Sequence, residues 1–315
     1  MQLHSVKIGG LTTPNNVFLA PLAGYTNAVF REMCFDLGAG LTFTEMVSDK
    51  GLCYDSAASR ELLSYTPTYG GVKAVQLFGS EPYYMQKAAC GEDIAPFGLI
   101  DINMGCPVPK IFKNGEGSAL LENIPLAQEL VKACKQSGKA VSVKFRTGIT
   151  GEKLVTADFA KAIEDAGADM ICVHGRTRDK MYSGEVNYGE ISAAKRAVSI
   201  PVIANGGVFG KADAERLLSE TGADGVMVAR GAMYDPFVFA QICGTHVEDK
   251  GAIIQKQLDD TFAVYDSRFA LVYMRKMIGF YIKGAPNASS LRVKLMGAQS
   301  KEEIEELFNQ VRQFI

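Results

Sequence analysis

The sequence predicts an α/β protein, a TIM (β/α)8 barrel followed by a smaller C-terminal helical domain. Eight short apolar runs start 24 to 41 residues apart within the first 231 residues, and amphipathic stretches lie between them. Parallel strands need a long connection, which a helix supplies, so this alternation is typical of right-handed β/α crossovers. An open doubly wound sheet shares the alternation, but PLAGYT stands after the first run where that fold has G-x-G-x-x-G. The barrel is therefore the better prediction.

The apolar runs are the predicted barrel strands. Each is too short for a buried helix, and most are rich in Val, Ile or Phe, which favours strand. In chain order they cover residues 17–20, 41–47, 73–78, 99–104, 140–145, 170–174, 201–204 and 225–229. The amphipathic stretches between them predict helices that include residues 26–37, 82–95, 123–137, 155–166 and 211–220.

The pattern changes after Phe239, where the alternation of strands and helices stops. Helical periodicity covers residues 249–283 and 300–313, and the breaker-rich stretch GAPNASS separates the two. We therefore predict a barrel domain over residues 1–244 and a helical domain over residues 245–315.

The predicted helical domain contains a basic segment, residues 267–296, that has no Asp or Glu. Its cations are Arg268, Arg275, Lys276, Lys283, Arg292 and Lys294, and its aromatic residues include Phe269, Tyr273, Phe280 and Tyr281. Because the whole chain carries a net charge of −2, the rest of it sums to −8. Such a segment indicates a surface for a polyanion. The competing interpretation is a helix pair with an aromatic core and solvated cations.

Composition excludes several classes of protein. With 47% apolar and 22% charged residues, the chain is globular rather than disordered. No apolar stretch is long enough to span a bilayer and no signal-peptide core is present, so we expect a cytoplasmic protein with no membrane partner. The seven cysteines form no C-x-x-C pair, which argues against a disulfide scaffold and a thiolate zinc site. We predict no metal site.

Polar residues end nearly every predicted strand. Because the carboxyl ends of barrel strands meet at one rim, these side chains should gather there. The residues are Gln76, Asn103, Cys106, Lys144, Arg146, His174, Arg176, Asn205 and Arg230. Any one of them could serve a structural hydrogen bond, but so many on a single rim indicate an active site.

The turns after the last two strands indicate a phosphate site. ANGG (204–207) and ARGA (229–232) contain glycine, which lets backbone N–H groups approach an anion at the usual phosphate position of such barrels. With Gln76 and Lys144 nearby, these turns suggest a cradle for flavin mononucleotide (FMN). Lys144 beside the isoalloxazine would stabilise negative charge on the reduced ring.

Cys106 lies between Gly105 and Pro107, in a stiff turn after the fourth strand. A free thiol with an ordinary pKa of ~8.5 is mostly protonated at neutral pH and can give up its proton. No histidine or carboxylate neighbours it in the sequence to make a thiolate nucleophile. We therefore predict that Cys106 is a proton donor and that the other six cysteines are buried, inert thiols.

These residues lie in blocks that resemble the tRNA-dihydrouridine synthase family. The blocks follow the order of the barrel, and the Cys106 block and HGRTR are the most specific to the family. They are APLAGYTNAVFR (20–31), QLFGSEP (76–82), DINMGCPVPKIFKNGEGSALL (101–121), VKFRTG (143–148), VHGRTRDKMYSG (173–184), PVIANGG (201–207) and GADGVMVARGAMYDPFVF (222–239). The C-terminal region matches less, through its helical, basic character and GFYIKGAP (279–286).

The resemblance implies a two-step reduction. NADPH would reduce bound FMN, and the flavin would then pass a hydride to C6 of a uracil in tRNA while Cys106 protonates C5. The implied FMN site consists of Pro21, Leu22, Ala23, Gln76, Lys144, His174, Asn205, Gly206, Gly207, Ala229 and Arg230. The residues implied to contact the base and the RNA are Asn103, Lys110, Lys113, Arg176, Arg178 and Tyr182.

Other interpretations stay open at this point. The substrate could be ribosomal RNA rather than tRNA. A small-molecule flavin reductase, such as a relative of dihydroorotate or dihydropyrimidine dehydrogenases, would explain the barrel and the FMN site but gives the basic segment and HGRTR no role. A non-catalytic RNA-binding barrel is opposed by the intact Cys106, Lys144 and His174. We expect a monomer.

Overall fold

The computed structural model describes residues 2–315, and its first elements form a hairpin that the periodicity did not predict. Strands β1 (Lys7–Ile8) and β2 (Leu11–Thr12) pair antiparallel through Gly9, whose φ is +57°. Ile8 belongs to the buried apolar cluster that contains Ala140 and Met170, the first residues of two barrel strands. The hairpin therefore covers the amino end of the barrel.

Eight parallel strands form one sheet that closes on itself. They are β3 (Val17–Leu19), β4 (Thr42–Ser48), β5 (Lys73–Phe78), β6 (Leu99–Met104), β7 (Ala140–Arg146), β8 (Met170–His174), β9 (Val202–Asn205) and β10 (Gly225–Val228). The barrel closes between β3 and β4, where Phe18 pairs with Leu41. The Leu19 N–H donates to the Leu41 carbonyl at 2.9 Å. The predicted TIM barrel is confirmed, and each predicted strand lies within one residue of the observed bounds at either end.

Helices alternate with the strands around the outside of the barrel. They are α1 (Ala28–Asp36), α2 (Asp49–Cys53), α3 (Ala57–Glu61), α4 (Pro82–Ala89), α5 (Pro109–Lys113), α6 (Ile124–Lys135), α7 (Thr156–Asp165), α8 (Tyr188–Ala197), α9 (Lys211–Thr221), α10 (Arg230–Tyr234) and α11 (Val238–Cys243), with 3-10 turns at Glu92–Ile94 and Gly117–Glu122. Side chains of Asn27, Asn123 and Asn187 cap three of them by accepting a backbone N–H. The predicted helix 82–95 is two elements, interrupted at Gly91, a poor helix former.

Inside the barrel, apolar side chains give way to polar ones toward the carboxyl end. On β6, Leu99 lies in the interior apolar cluster, and Asp101 and Asn103 follow on the same face because strand side chains alternate with period two. On β7, Ala140 is followed in the same way by Ser142. Apolar packing thus fills the amino half of the interior and leaves hydrogen-bonding groups at the other end.

Four further helices pack against one another, with α12 on α1 and α13 on α10. They are α12 (Lys250–Val264), α13 (Ser267–Tyr281), α14 (Ala288–Gly297) and α15 (Lys301–Asn309), followed by a 3-10 turn at Arg312–Phe314. The stretch predicted as helical over 249–283 consists of two helices, because Asp266 accepts two backbone N–H groups, both at 3.0 Å, and starts a new helix. GAPNASS is only partly a turn, since α14 begins at Ala288. The helix predicted over 300–313 ends earlier than expected, at Asn309. Within residues 2–315, every helix is too short or too polar to traverse a bilayer.

The basic segment 267–296 is only partly a free surface. Arg275, Lys276 and Arg292 are half-buried and donate to backbone carbonyls, and Tyr273 and Tyr281 are buried in the core. The exposed cations are Arg268, Lys283 and Lys294. The prediction of a basic, aromatic surface is therefore right for half of the cations and wrong for these tyrosines, which pack as the competing interpretation expects.

The other six cysteines are not all buried. The buried thiols are Cys34, Cys134 and Cys172, the partly buried ones are Cys53 and Cys243, and the exposed one is Cys90. The prediction fails for Cys90 because that residue follows the last turn of α4, where the chain leaves the barrel's helical layer.

Candidate active site

A cleft opens at the carboxyl end of the barrel strands. It has a volume of about 210 Å³ and is lined by residues from all eight strands or the loops that follow them. Cys106 and every residue predicted to hold FMN line this cleft, and so do Asn103, Arg176 and Tyr182. The three predicted residues that lie outside it are Lys110, Lys113 and Arg178. The roles assigned to these residues stay predictions.

A chain of hydrogen bonds runs beneath the cleft from β7 to the Cys106 turn. Ser142 Oγ donates to Asp101 Oδ1 at 2.6 Å, and Gln76 Nε2 donates to Asp101 Oδ2 at 2.7 Å. Asn103 Nδ2 donates to Gln76 Oε1 at 2.9 Å, and the Cys106 N–H donates to Asn103 Oδ1 at 2.9 Å. An ionised carboxylate only accepts hydrogen bonds, so the carboxylate at the base of the chain orients both amides above it.

Asp101 is a site residue that the sequence analysis missed. Its side chain is 1% exposed. Burial raises the pKa of Asp101 to about 6, although the bonds from Gln76 and Ser142 and the charge of Lys144 oppose the shift. A signal was present: an aspartate stands inside the apolar run LIDINM, two residues before Asn103 and therefore on the same interior face.

Lys144 is held on the cleft wall by an amide rather than a carboxylate. Its Nζ donates to Asn205 Oδ1 at 3.0 Å, and Asn205 Nδ2 donates to the Met227 carbonyl at 2.7 Å. Burial lowers the pKa of Lys144, and the charge of Asp101 opposes that shift. An anion or an electron-rich ring that entered the cleft would find this cation fixed in direction.

His174 is buried among cations and is neutral. Burial and the charges of Lys144, Arg146 and Arg176 hold the pKa of His174 well below its usual range. Arg176 Nη1 lies 3.4 Å from His174 Nε2, so this ring nitrogen is the acceptor, while Arg176 Nη2 donates to the Gly184 carbonyl at 2.9 Å. The imidazole can therefore hydrogen-bond to a ligand but adds no charge.

Gly206 and Gly207 expose bare backbone at the end of β9. Their φ angles are +125° and +74°, both in the region that favours glycine. A Cβ on Gly206 would lie 3.0 Å from Val186 Cγ2 and 3.2 Å from His174 Cδ2. With Arg230 on the same cleft, this bare backbone suits an anionic group such as a phosphate.

Cys106 is half-buried in a turn that its neighbours hold rigid. Its carbonyl accepts from Ser118 Oγ at 2.8 Å, and a Cβ on Gly117, at φ +60°, would lie 3.0 Å from the Cys106 Cβ. Burial raises the pKa of the Cys106 thiol, and the charge of Glu116 adds to this, while Arg146 opposes it. The thiol is therefore protonated at neutral pH, as a proton donor must be.

Arg146 was noted on the rim but given no role from the sequence. It is 2% exposed, and it donates to the carbonyls of Gly105 at 2.9 Å, Thr177 at 3.0 Å and Met181 at 2.7 Å. Burial lowers the pKa of Arg146 to about 10, so it stays charged at neutral pH. It therefore ties the Cys106 turn to the loop after β8 and puts a cation beside the thiol.

The residues predicted to contact RNA differ in their exposure to solvent, and Arg176 among them is buried. Tyr182 is 51% exposed, and the guanidinium carbons of Arg146 and Arg230 lie 5.7 and 5.3 Å from its ring centroid. The Arg178 guanidinium lies 3.7 Å from the Phe112 ring centroid and so supports α5. This short helix presents two exposed lysines, Lys110 and Lys113.

The charged side chains that line the cleft are all cations. Four cations line it, Lys144, Arg146, Arg176 and Arg230, and no Asp or Glu stands among the described residues of its lining. Such a lining favours an anionic ligand. Across residues 2–315, no group of three or more His, Cys, Asp or Glu side chains could hold a metal ion.

Comparison with protein families and curated relatives gives one consistent result. A sequence model of the family Dihydrouridine synthase (Dus) matches residues 18–315. tRNA-dihydrouridine synthase B of Pseudomonas aeruginosa is 33% identical over 308 residues, which cover 94% of this chain and 92% of that protein. A probable tRNA-dihydrouridine synthase of Rickettsia conorii is 35% identical over 321 residues, which cover 97% of each.

Solved structures share the fold at low sequence identity. Histamine dehydrogenase from Rhizobium sp. 4-9 superimposes with a TM-score of 0.59 and 15% identity, covering 88% of this chain and 50% of that one. TcOYE with pHBA superimposes with a TM-score of 0.57 and 13% identity, covering 77% of this chain and 92% of that one. These likenesses concern the barrel architecture alone.

Proposed function

The chain belongs to the dihydrouridine synthase family, and from that premise we propose that it is an FMN-dependent tRNA-dihydrouridine synthase. It reduces the C5–C6 double bond of specific uridines in tRNA, with NADPH as the reductant. The observation that carries the proposal is the cleft, where a protonated thiol, two oriented amides and four cations meet at the open end of the barrel. The names of the relatives, which specify tRNA, support the choice of substrate.

The lining of the cleft fits FMN. Gly206, Gly207 and Arg230 would hold the phosphate, and Gln76 and Lys144 would bond to the isoalloxazine. The other residues of this site are Pro21, Leu22, Ala23, His174, Asn205 and Ala229. When bound and reduced by NADPH, FMN supplies the hydride that adds to C6 of the uracil.

Cys106 supplies the proton that completes the reduction at C5. Its raised pKa keeps the proton on sulfur until the base accepts it. The adjacent Arg146 charge stabilises the thiolate that remains, and solvent returns the proton. Asn103 holds the Cys106 N–H and so directs the turn toward the base. One hydride and one proton are added, and the C5–C6 bond becomes single.

The uracil must leave its stack to enter the cleft, which costs a few kcal/mol. Contacts to phosphates can offset that cost, and the exposed lysines of α5 and the exposed cations of the C-terminal helices support this role. The residues assigned to RNA contact are Lys110, Lys113, Arg176, Arg178 and Tyr182. In this proposal residues 1–244 form the catalytic domain and residues 245–315 the RNA-binding domain. One chain lines the whole cleft, so a monomer suffices, and a tRNA substrate makes the cytoplasm its place of action.

Two alternatives are less well supported. Ribosomal RNA offers the same uracil chemistry, but the names of the relatives specify tRNA. A small-molecule pyrimidine or dihydroorotate reductase would use the same cleft but has no use for the exposed lysines of α5 or the exposed cations of residues 267–296.

The test is the formation of dihydrouridine in unmodified tRNA, measured by mass spectrometry after incubation with the protein, FMN and NADPH. We expect product with the wild type and little with Cys106→Ala, which has no proton to give. Cys90→Ala is the matched control, because it removes an exposed thiol outside the cleft, and its yield should equal that of the wild type.

Each outcome separates one part of the proposal from the rest. Equal product from wild type and Cys106→Ala would leave the synthase standing and remove Cys106 from its role. No product from the wild type, with flavin bound and reducible by NADPH, would refute tRNA as substrate and direct the same assay to ribosomal RNA and free pyrimidines.

A further inference from the structure

The loop that follows β3, residues 21–27, is held by the C-terminal helices as well as by the barrel. We call it the first rim loop, and its first three residues line the cleft. It is closed on itself, because the Leu22 N–H donates to Thr26 Oγ1 at 3.0 Å and the Thr26 N–H donates to the Leu22 carbonyl at 3.1 Å. Arg31 Nη1 of α1 donates to the Thr26 carbonyl at 2.5 Å, and the tip of the loop, Gly24 and Tyr25, is held by β4 and α13.

The backbone of Gly24 is held between two opposite charges. Its N–H donates to Glu45 Oε2 on β4 at 2.5 Å, and its carbonyl accepts from Lys276 Nζ on α13 at 2.5 Å. Hydrogen bonds with one ionised partner are roughly twice as strong as neutral ones. The φ of Gly24 is +76°, a left-handed conformation that a residue with a Cβ would resist.

Aromatic rings on both sides hold Lys276 in place. Its Nζ lies 4.0 Å from the centroid of Tyr25 and 5.4 Å from that of Tyr273, and both distances are within cation–π range. Tyr273 is 3% exposed, and its hydroxyl donates to the Tyr25 carbonyl at 2.6 Å. One face of α13 thus holds Gly24 and Tyr25 together.

Lys276 differs from the other cations of residues 267–296. Arg268 and Lys294 are exposed, and within the described residues their side chains make no hydrogen bond or ion pair. Arg275 and Arg292 donate to carbonyls of the C-terminal helices themselves. Only Lys276, among these described cations, hydrogen-bonds to the barrel, and it does so at the loop that lines the cleft.

We propose that Lys276 and Tyr273 are positioning residues for the flavin site. By holding Gly24 and Tyr25, they keep the first rim loop in the conformation that lines the cleft. The helices after the barrel therefore contribute to cofactor retention as well as to RNA binding. This inference rests on the proposed function, since FMN is the ligand whose affinity the loop would set.

The affinity for FMN tests the inference without any turnover. Full-length protein is freed of flavin and titrated with FMN, and the change in flavin fluorescence gives Kd. Lys276→Met keeps the length of the side chain but loses the charged donor, so Kd should rise about tenfold or more. Lys294→Met removes the same charge from an exposed position, and its Kd should stay within about twofold of the wild type.

Two conservative variants show whether the effect is one of positioning. Lys276→Arg keeps a charged donor and should restore most of the affinity, and Tyr273→Phe loses one hydroxyl and should raise Kd about threefold or more. Circular dichroism and thermal unfolding confirm that each variant is folded. If Lys276→Met does not fold, Tyr273→Phe decides the question, because it keeps the buried ring.

An FMN affinity that is unchanged in Lys276→Met and Tyr273→Phe would overturn the inference and leave the proposed function intact. If Lys276→Met and Lys294→Met then weaken tRNA binding equally, Lys276 contributes to RNA binding alone. Wild-type protein that binds no FMN would overturn both the inference and the proposed function.

Discussion

Asparagine in place of Asp101 should remove a pH dependence from the stability of this protein. The carboxyl is 1% exposed, and burial raises its pKa from 3.8 to about 6. The folded protein therefore binds this proton more tightly than the unfolded chain does. The contribution of Asp101 to the free energy of unfolding falls as pH rises from about 4 to about 6, and above that the loss is complete.

The magnitude follows from the shift. A pKa difference of about two units, at ~1.4 kcal/mol per unit, gives about 3 kcal/mol. Asparagine has the same shape, and it can accept from Gln76 Nε2 and donate to Ser142 Oγ, so the hydrogen bonds survive while the buried charge is lost. The free energy of unfolding of Asp101→Asn, relative to that of the wild type, should therefore increase by about 3 kcal/mol between pH 4 and pH 8.

Urea unfolding of flavin-free protein, followed by circular dichroism at several pH values, measures the effect. Asp158→Asn is the control, because the Asp158 carboxylate is exposed on α7. The difference in free energy of unfolding between this variant and the wild type should change by less than about 1 kcal/mol over this pH range. A difference between Asp101→Asn and wild type that is constant from pH 4 to pH 8 would refute the reasoning, since it would mean that Asp101 titrates alike in both states.

Three further predictions concern the cleft, the RNA contacts and the thiols. Gly206→Ala puts a Cβ 3.0 Å from Val186 Cγ2 at φ +125°, so FMN titration should show a Kd raised about tenfold or more. The control Gly210→Ala has open space at its Cβ and should bind FMN as the wild type does. Equal Kd values for the two variants would contradict the phosphate site. Lys110→Met should weaken tRNA binding and reduce the slope of log K against log salt by about 0.7–0.9, whereas an unchanged slope would exclude a phosphate contact. In mass-spectrometric maleimide labelling, the exposed Cys90 should react before the buried Cys134, and the reverse order would contradict the burial pattern.

The strands could be predicted from the sequence because barrel strands are buried on both faces and therefore form short apolar runs. Residues 99–104 and 170–174 show this, and both have the bounds observed in the structure. The hairpin at Lys7–Ile8 was missed because two-residue strands are too short to show a period. The helix break at Asp266 was missed because helical periodicity continues across it, and only the capping bonds of its carboxylate reveal the new start.

The candidate site divides in the same way. The polar residues that end the strands, among them Gln76 and Lys144, could be predicted from the sequence, because strand position determines rim position in a barrel. The contacts of these side chains depend on the tertiary structure. It paired Asp101 with Ser142, and it brought Lys276 to Gly24, 252 residues away. Such partners are set by packing between distant segments, and the local sequence has no pattern that specifies them.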